Sequence, residues 1–141
     1  MNQRLFPAAR LRRLRAQPYL RALVRESRLQ PSDLVLPVFI REGEKLCEPV
    51  GSMPGVNRLS VDQLVLVARQ AENLGIPAIV LFPQIDGALK TEDAAASFAD
   101  DGLVQRAIAA VKDAVPNLGV MTDVALDPYT SHGQDGLLDD A

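Results

Sequence analysis

The sequence predicts an α/β protein in which short parallel strands alternate with amphipathic helices. Three apolar runs of strand length occupy residues 34–40, 76–82 and 118–124, and two segments with helical spacing of apolar residues separate them. The run IPAIVLF at residues 76–82 has no polar alternation, which is typical of a strand buried on both faces of a parallel sheet. The resulting β-α-β-α-β order predicts right-handed crossovers, with the helices outside the sheet.

The beginning of the chain predicts a helix followed by the first strand. Leu20, Leu23 and Val24 have helical spacing within residues 18–28, and a Pro-Ser-Asp sequence then breaks the pattern. Pro37 lies inside the first strand and carries no N–H group. We therefore expect it at a bulge or at a position where the sheet does not need that donor.

A long loop is predicted after the first strand, and a well-defined helix after the loop. Residues 41–59 contain three glycines and two prolines, and loops of this length are commonly functional or cover another element. Ser60 and Gln63 have the spacing of a capping box, and Gly75 predicts the end of this helix. The second long helix is expected after two aspartates at residues 100–101.

Length and composition exclude several classes of protein. The 141 residues are enough for one domain, and 48% hydrophobic with 23% charged residues is too apolar for intrinsic disorder. No apolar run approaches the 18 or so residues of a membrane-spanning helix. The single cysteine, Cys47, excludes an internal disulfide and a zinc site made of cysteines, which predicts a reducing compartment and the cytoplasm.

The net charge of −3 conceals a strongly basic beginning. Residues 1–28 hold eight arginines and one glutamate, a charge of +7, so the remainder carries −10. An Arg-rich transit peptide, a contact with nucleic acid or membrane, and an arm that packs on a neighbouring acidic surface would all explain this charge. We divide the chain into a basic N-terminal arm at 1–30 and an α/β domain at 31–141.

The candidate functional residues lie in the loops that follow the strands. Ligands of parallel α/β proteins bind beyond the carboxyl ends of the strands, which selects the loops 41–59, 83–100 and 125–136. The last of these contains most of the polar chemistry of the chain. Its polar and acidic side chains, counted from the end of the third strand, are Asp123, Asp127, Tyr129, Thr130, Ser131, His132 and Asp135.

Two interpretations of this loop remain open on residue types alone. Asp127 and Asp135 are hard oxygen donors suited to Mg²⁺, and a glycine-containing loop could bring them together. The alternative is ordinary turn chemistry around Pro128 and the following glycines. His132, the only histidine, is typical of a hydrogen-bonded loop residue when it stands alone.

Other reactive side chains are poorly placed for catalysis. Cys47 has no nearby histidine to activate it. A Schiff-base lysine needs desolvation or a neighbouring cation, whereas Lys45 and Lys90 are in polar loops and Lys112 is at an exposed helix position. The chain contains no dinucleotide fingerprint, phosphate-binding P-loop or G-x-S-x-G motif.

Five segments in order resemble one enzyme family, 5-aminolevulinate dehydratase, also called porphobilinogen synthase. They are DLVLPVF at 33–39, SMPG at 52–55, GIPAIVLFP at 75–83, DGLVQRAI at 101–108 and TDVALDPYTSHGQDG at 122–136. The last segment corresponds to the active-site loop of the family. Together they are far more specific than any one of them, and they span nearly the whole chain.

The resemblance implies an enzyme of tetrapyrrole and haem biosynthesis. Such an enzyme condenses two molecules of 5-aminolevulinate into porphobilinogen with loss of two waters, on a (β/α)₈ barrel. The family assembles as homo-octamers in which the arm wraps a neighbouring subunit, which favours the packing interpretation of residues 1–30. Asp123 is then the candidate that orients a substrate amine or a lysine, or transfers a proton.

The sequence departs from the family pattern in two respects. Ala125, Asp127 and Asp135 stand where zinc-dependent relatives carry three cysteines, and Gln134 stands where many relatives carry a histidine. The resemblance therefore implies the aspartate-rich, magnesium-responsive branch, with Asp127 and Asp135 as candidate metal ligands. Neither Schiff-base lysine of the family has a counterpart here, so we expect about three of the eight barrel strands and an inactive, poorly soluble isolated segment.

Two alternative functions follow from other features. A receiver-like domain would use Asp123 as phosphoryl acceptor with Mg²⁺ nearby, but the first strand is followed by Arg41-Glu42-Gly43 rather than an acidic pair. The basic arm could bind nucleic acid, but only Phe6 and Tyr19 interleave its charges. We therefore expect a small-molecule substrate and a homo-oligomer, with no nucleic acid or membrane partner.

Overall fold

The computed structural model describes residues 10–137 and divides into two compact units, with the boundary between Gln30 and Pro31. The first nine residues, including Arg4 and Phe6 of the predicted arm, and the last four residues of the predicted α/β domain lie outside the described part. Within residues 10–137, no helix has both the length and the apolar character needed to cross a membrane.

The first unit contains only short helical elements in its described residues. A 3-10 turn at Arg13–Arg15 precedes helix α1, Pro18–Leu23. The helix predicted over 18–28 is therefore shorter than expected, because α1 buries no side chain and a helix this short gains little without tertiary packing. The guanidinium of Arg21 donates a hydrogen bond to the carbonyl of Arg15 at 2.8 Å.

The second unit is built on a five-stranded sheet that contains the three predicted strands. Strands β1 (Val35–Arg41), β4 (Ala78–Gln84) and β5 (Gly119–Thr122) are parallel neighbours, in agreement with the predicted β-α-β-α-β order. Strands β2 (Cys47–Pro49) and β3 (Asn57–Leu59) complete the sheet, in the order β2-β3-β1-β4-β5. Strand β3 is parallel to β1 and antiparallel to β2.

The prediction that residues 41–59 form only a loop was wrong. This segment contains β2 and β3, each of three residues, which is too short for a hydrophobic period to appear in the sequence. Ion pairs link these strands to one another and to β1. Glu48 on β2 pairs with Arg41 on β1 and lies 4.0 Å from Arg58 on β3. The hairpin therefore extends the sheet at the carboxyl end of β1.

Helix α2, Val61–Asn73, begins after Ser60 and ends before Gly75, as predicted, but its first turn is capped differently. Gly75 has a φ of +77°, and the amides of Gly75 and Ile76 donate to the carbonyls of Glu72 and Ala71, the pattern of a Schellman motif. The predicted capping box does not form, because the hydroxyl of Ser60 donates to Asp62 instead of capping the helix backbone.

The hydrophobic core lies between one face of the sheet and two helices. Helix α3, Leu103–Ala114, begins just after the predicted acidic pair, and it packs beside α2. Alanines on both helices allow close approach to the large side chains of the sheet. The fully or nearly buried residues include Val38, Ile40, Ile79 and Leu81 from the sheet and Leu64, Ala68, Ala71, Leu103, Ala107 and Val111 from the helices.

The opposite sheet face has no helix on it within residues 31–137, and the sheet has open edges. Val35 is 42% exposed and Met121 is 50% exposed on this face. Within residues 31–137, strand β5 pairs only with β4, and β1 pairs with β3 only at Phe39 and Ile40. Pro37 lies in the part of β1 that pairs with β4 and not with β3, so one side of the strand is open there within the described part of this unit.

A polar contact fastens the loop after β1 to the start of α2. The amide of Lys45 donates to both carboxylate oxygens of Asp62 at 3.1 Å, and the amide of Leu46 donates to the hydroxyl of Ser60 at 2.9 Å. Hydrogen bonds from Ser60, then Gln63 and the Lys45 amide, lower the pKa of Asp62 to about 2. This contact holds the loop at the carboxyl end of β1.

We predict that Asp62→Asn destabilises the protein in a pH-dependent way. A folded-state pKa below the ordinary 3.8 stabilises the fold above about pH 4, and this contribution is lost as the pH falls towards 2. Urea unfolding of wild type and variant should therefore differ at pH 6 and converge near pH 2. Asp113→Asn on the exposed side of α3 removes the same charge and serves as the control; equal stabilities of wild type and Asp62→Asn at pH 6 would contradict the prediction.

Candidate functional site

A cavity opens where the carboxyl ends of the three parallel strands meet. It has a volume of about 230 Å³ and is enclosed by residues from β1, β4 and the loop after β5. Parallel strands end at the same edge of a sheet, so this is where their following loops converge. The lining residues are Phe39, Phe82, Pro83, Asp123, Ala125, Asp127 and Pro128.

Two aromatic rings form the apolar wall of this cavity. Phe39 and Phe82 are partners in the β1–β4 register, and their ring centroids are 5.8 Å apart at an interplanar angle of 39°. Both rings are half-buried. A ligand that rests on them loses water from one side, which strengthens its electrostatic interactions with the acidic groups opposite.

The acidic wall comes from Asp123 and Asp127. Asp123 directly follows β5, and its Oδ1 accepts a hydrogen bond from the amide of Ala125 at 3.2 Å. Asp127 lines the same cavity four residues later. The structure thus brings these two predicted residues to one place, both exposed and lining the same cavity as the two rings.

Asp135 has a different environment from the other two aspartates. Its Oδ1 accepts hydrogen bonds from the amides of Leu126 at 2.7 Å and Asp127 at 3.0 Å. Its side chain lines a separate, wider cavity of about 740 Å³ together with Glu92, His132 and Gln134. Asp135 and Asp127 are therefore linked through the backbone of Asp127, with one carboxylate oxygen of Asp135 already engaged.

The donor set of this loop is made of hard oxygen atoms. Among residues 10–137, no three or more His, Cys, Asp and Glu side chains cluster closely enough to hold a metal ion. Magnesium commonly uses one or two carboxylates and keeps several waters, so Asp127 and the second oxygen of Asp135 are chemically suited to it. Cys47 lies on β2 and is not among the residues that line this cavity.

His132 is held as a loop residue by two hydrogen bonds. Its Nδ1 accepts from the amide of Gln134 at 3.2 Å, and its Nε2 lies 3.2 Å from the carbonyl of Glu92. An accepting Nδ1 assigns the proton of the neutral ring to Nε2, which then donates to Glu92. Both ring nitrogens are thus engaged within the protein, in agreement with the hydrogen-bonded interpretation of this histidine.

None of the three lysines lines the cavity with Asp123. The ammonium of Lys112 donates to the carbonyls of Pro116 at 2.6 Å and Leu118 at 2.9 Å, where it stabilises the end of α3. Lys45 is exposed in the loop after β1, and Lys90 ends a 3-10 turn after β4.

Sequence reasoning missed Phe39, Phe82 and Thr91 as parts of this site, although it named Tyr129 and Thr130. Strand alternation could have found Phe39 and Phe82, because they share a face with the exposed residues of β1 and β4. Thr91 carried no signal, although it bridges to Thr130 in the loop after β5. Tyr129 beside it is 7% exposed, and burial raises the pKa of its phenol.

The comparison with known proteins agrees with the resemblance found in the sequence. The family model for delta-aminolevulinic acid dehydratase matches residues 8–141. The chain belongs to this family. The open sheet with helices on one face is accordingly a partial TIM barrel, as predicted from the family resemblance.

Similar dehydratases come from bacteria and plants. The delta-aminolevulinic acid dehydratase of Bradyrhizobium diazoefficiens is 47% identical over 94% of this chain, and that of Synechocystis is 46% identical over 96%. The chloroplastic enzyme of Hordeum vulgare is 45% identical over 93%. The chain spans 38%, 41% and 31% of the lengths of these three relatives.

A solved dehydratase has the same arrangement of elements. The crystal structure of the enzyme from Toxoplasma gondii ME49, in complex with the reaction product porphobilinogen, superimposes with a TM-score of 0.85 at 44% identity. The match covers 94% of this chain and 37% of that one.

Proposed function

We propose that this chain forms the acid-lined part of the active site of a porphobilinogen synthase. The complete enzyme would condense two molecules of 5-aminolevulinate into porphobilinogen and release two waters. The observation that carries this proposal is that Asp123 and Asp127 line one cavity with Phe39 and Phe82, in a chain whose family is that of the dehydratases. The receiver-like alternative has no support from the family match.

Each side of the cavity would have its own part in the condensation. The apolar wall of Phe39 and Phe82 would exclude water from one side of the substrate carbon chain. Asp123 would accept a hydrogen bond from a substrate amine or a Schiff-base lysine and hold a proton during transfer. Asp127 would add negative charge that stabilises the cationic iminium intermediates formed in the cavity.

The amines that activate the substrate ketones would come from outside these 141 residues. A lysine amine turns a ketone into an iminium ion, a better electron sink for the formation of C–N and C–C bonds. Lys45, Lys90 and Lys112 do not line the cavity, and the ammonium of Lys112 is engaged by two carbonyls. We therefore infer that the isolated chain is catalytically inactive, and its open edges and exposed sheet face favour poor solubility.

Magnesium is the metal that the loop suits. Asp127 and the second carboxylate oxygen of Asp135, which line neighbouring cavities, are the two candidate ligands, and a bound ion would supply positive charge that orders the loop. The basic arm at 1–30, with +7 in residues 1–28, would pack on the acidic remainder of a second copy in a homo-octamer. We place the protein in the cytoplasm, with no nucleic acid or membrane partner.

A chimera tests the proposed activity. Residues of this chain would replace the matching segment of the Bradyrhizobium diazoefficiens relative, and porphobilinogen formation would be measured. We predict an active chimera whose kcat falls about 100-fold or more in the Asp123→Asn variant, because general acid–base catalysis contributes on that scale. The control Asp113→Asn, on the exposed side of α3, should stay close to the parent chimera.

An assembled chimera without activity would contradict the proposed function. Unchanged turnover in Asp123→Asn would remove that residue from the active site. Addition of a chelator, followed by Mg²⁺ or Zn²⁺, distinguishes the metals: we expect Mg²⁺ to restore any lost activity.

Reductive trapping tests where the amines reside. We predict that the isolated chain, incubated with 5-aminolevulinate and borohydride, shows no mass increase in intact-mass spectrometry, whereas the chimera does. A stable adduct on any of the three lysines of the isolated chain would show that the chain carries a Schiff-base residue of its own.

A further inference from the structure

The loop after β5 is closed on itself through one buried hydroxyl. Thr130 is 3% exposed, and only Ser60 is a more deeply buried polar residue among residues 10–137. Its Oγ1 donates to the carbonyl of Gln134 at 2.9 Å, and its amide donates to the carbonyl of Leu126 at 3.1 Å. Thr130 therefore connects the beginning of the loop with its end.

A second anchor comes from the loop after β4. Thr91 and Thr130 form a parallel bridge, in which the amide of Thr91 donates to Tyr129 at 3.2 Å and the amide of Ser131 donates to Thr91 at 3.0 Å. Thr91 is itself held, because its hydroxyl donates to Asp93 at 2.6 Å and accepts from the amide of Ala95 at 2.9 Å. Thr130 is thus held against the loop that follows β4.

A series of contacts connects Thr130 with the acidic residues of the cavity. Gln134, held by the hydroxyl of Thr130, is followed by Asp135, whose carboxylate accepts from the amides of Leu126 and Asp127. These bonds fix the backbone of Asp127, and the side chain of Asp127 lines the cavity with Asp123. The three hydrogen bonds in this series are 2.7–3.0 Å long.

We propose that Thr130 is a positioning residue that sets the place of Asp127 in the cavity through Gln134 and Asp135. Its effect on catalysis rests on the proposed function, whereas its effect on the loop does not. The hydroxyl is the essential group, because its oxygen donates to the carbonyl of Gln134 at 2.9 Å and lies 3.4 Å from the carbonyl of Asp127. Thr130→Ser should therefore preserve the order of the loop. Thr130→Val, whose side chain has the same shape without a donor, should not.

Hydrogen exchange at single-residue resolution tests the loop directly on the 141-residue chain. In Thr130→Val, the amides of Leu126 and Asp127 should exchange about 3- to 10-fold faster, the change expected for loss of one ordinary hydrogen bond. In Thr130→Ser, the rates should stay within about 2-fold of wild type. Ser131→Ala removes the exposed neighbouring hydroxyl and is the matched control. Unchanged rates in Thr130→Val, or equal acceleration in the serine variant, would overturn the proposal.

A double-mutant cycle separates positioning from general loosening. Asp135→Ala should accelerate exchange of the same two amides, and Thr130→Val combined with Asp135→Ala should add little, because both act through one chain of contacts. Fully additive effects would contradict the proposal. The amides of Ile79 and Leu81 report on global unfolding. If their exchange also accelerates in Thr130→Val, the same amides are measured in Thr130→Ala and Asp135→Ala. Faster exchange confined to Leu126 and Asp127 in these variants supports the proposal, and equal acceleration of all four amides contradicts it.

The chimera adds the catalytic arm of the test. Thr130→Val should lower kcat about 10-fold, with rescue by Thr130→Ser. Normal exchange in Thr130→Val overturns the positioning role whatever the activity. Accelerated exchange in Thr130→Val of the 141-residue chain, found together with an inactive parent chimera, leaves the positioning role intact and refutes the proposed function.

Discussion

The parallel pairing of β1, β4 and β5 is the constraint on which the rest of the second unit depends. Seven residue pairs join β1 to β4 and four join β4 to β5, so the carboxyl ends of the three strands lie side by side. Helices α2 and α3 cover one face and bury its side chains. The other face carries Phe39 and Phe82, which line the cavity together with the loop after β5.

The acidic loop depends on backbone hydrogen bonds more than on contacts between acidic side chains. The carboxylate of Asp135 accepts hydrogen bonds from two amides of the loop, whereas Asp127 lines the cavity. Two carboxylates eight residues apart thus have separate roles set by their surroundings. Because an aspartate oxygen accepts hydrogen bonds from amides more strongly than a thiol does, Asp135 suits a loop closed in this way.

Much of the fold could be predicted from the sequence because its signals are local. Apolar runs marked β1, β4 and β5, and Gly75 marked the end of α2. Strands β2 and β3 were missed because three residues carry no readable period, and their pairing depends on contacts with β1. The capping box at Ser60 failed because the loop after β1 offered Ser60 other partners, which no local pattern reveals.

The sequence predicted which acidic residues belong to the candidate site, but not how the loop arranges them. Strand order placed Asp123 and Asp127 beyond the end of β5, but the different role of Asp135 depends on a turn of the backbone nine residues long. Thr91 is distant in sequence from Thr130, and their bridge arises only from the convergence of two loops. Long-range pairing of this kind leaves no pattern in a single sequence.

The most direct test of this account is a crystal structure of the chimera with porphobilinogen bound. The account predicts that the product lies against Phe39 and Phe82, with an amine or pyrrole nitrogen within hydrogen-bond distance of Asp123. Product bound elsewhere in the barrel, with the Phe39–Phe82 wall in contact only with protein, would contradict it.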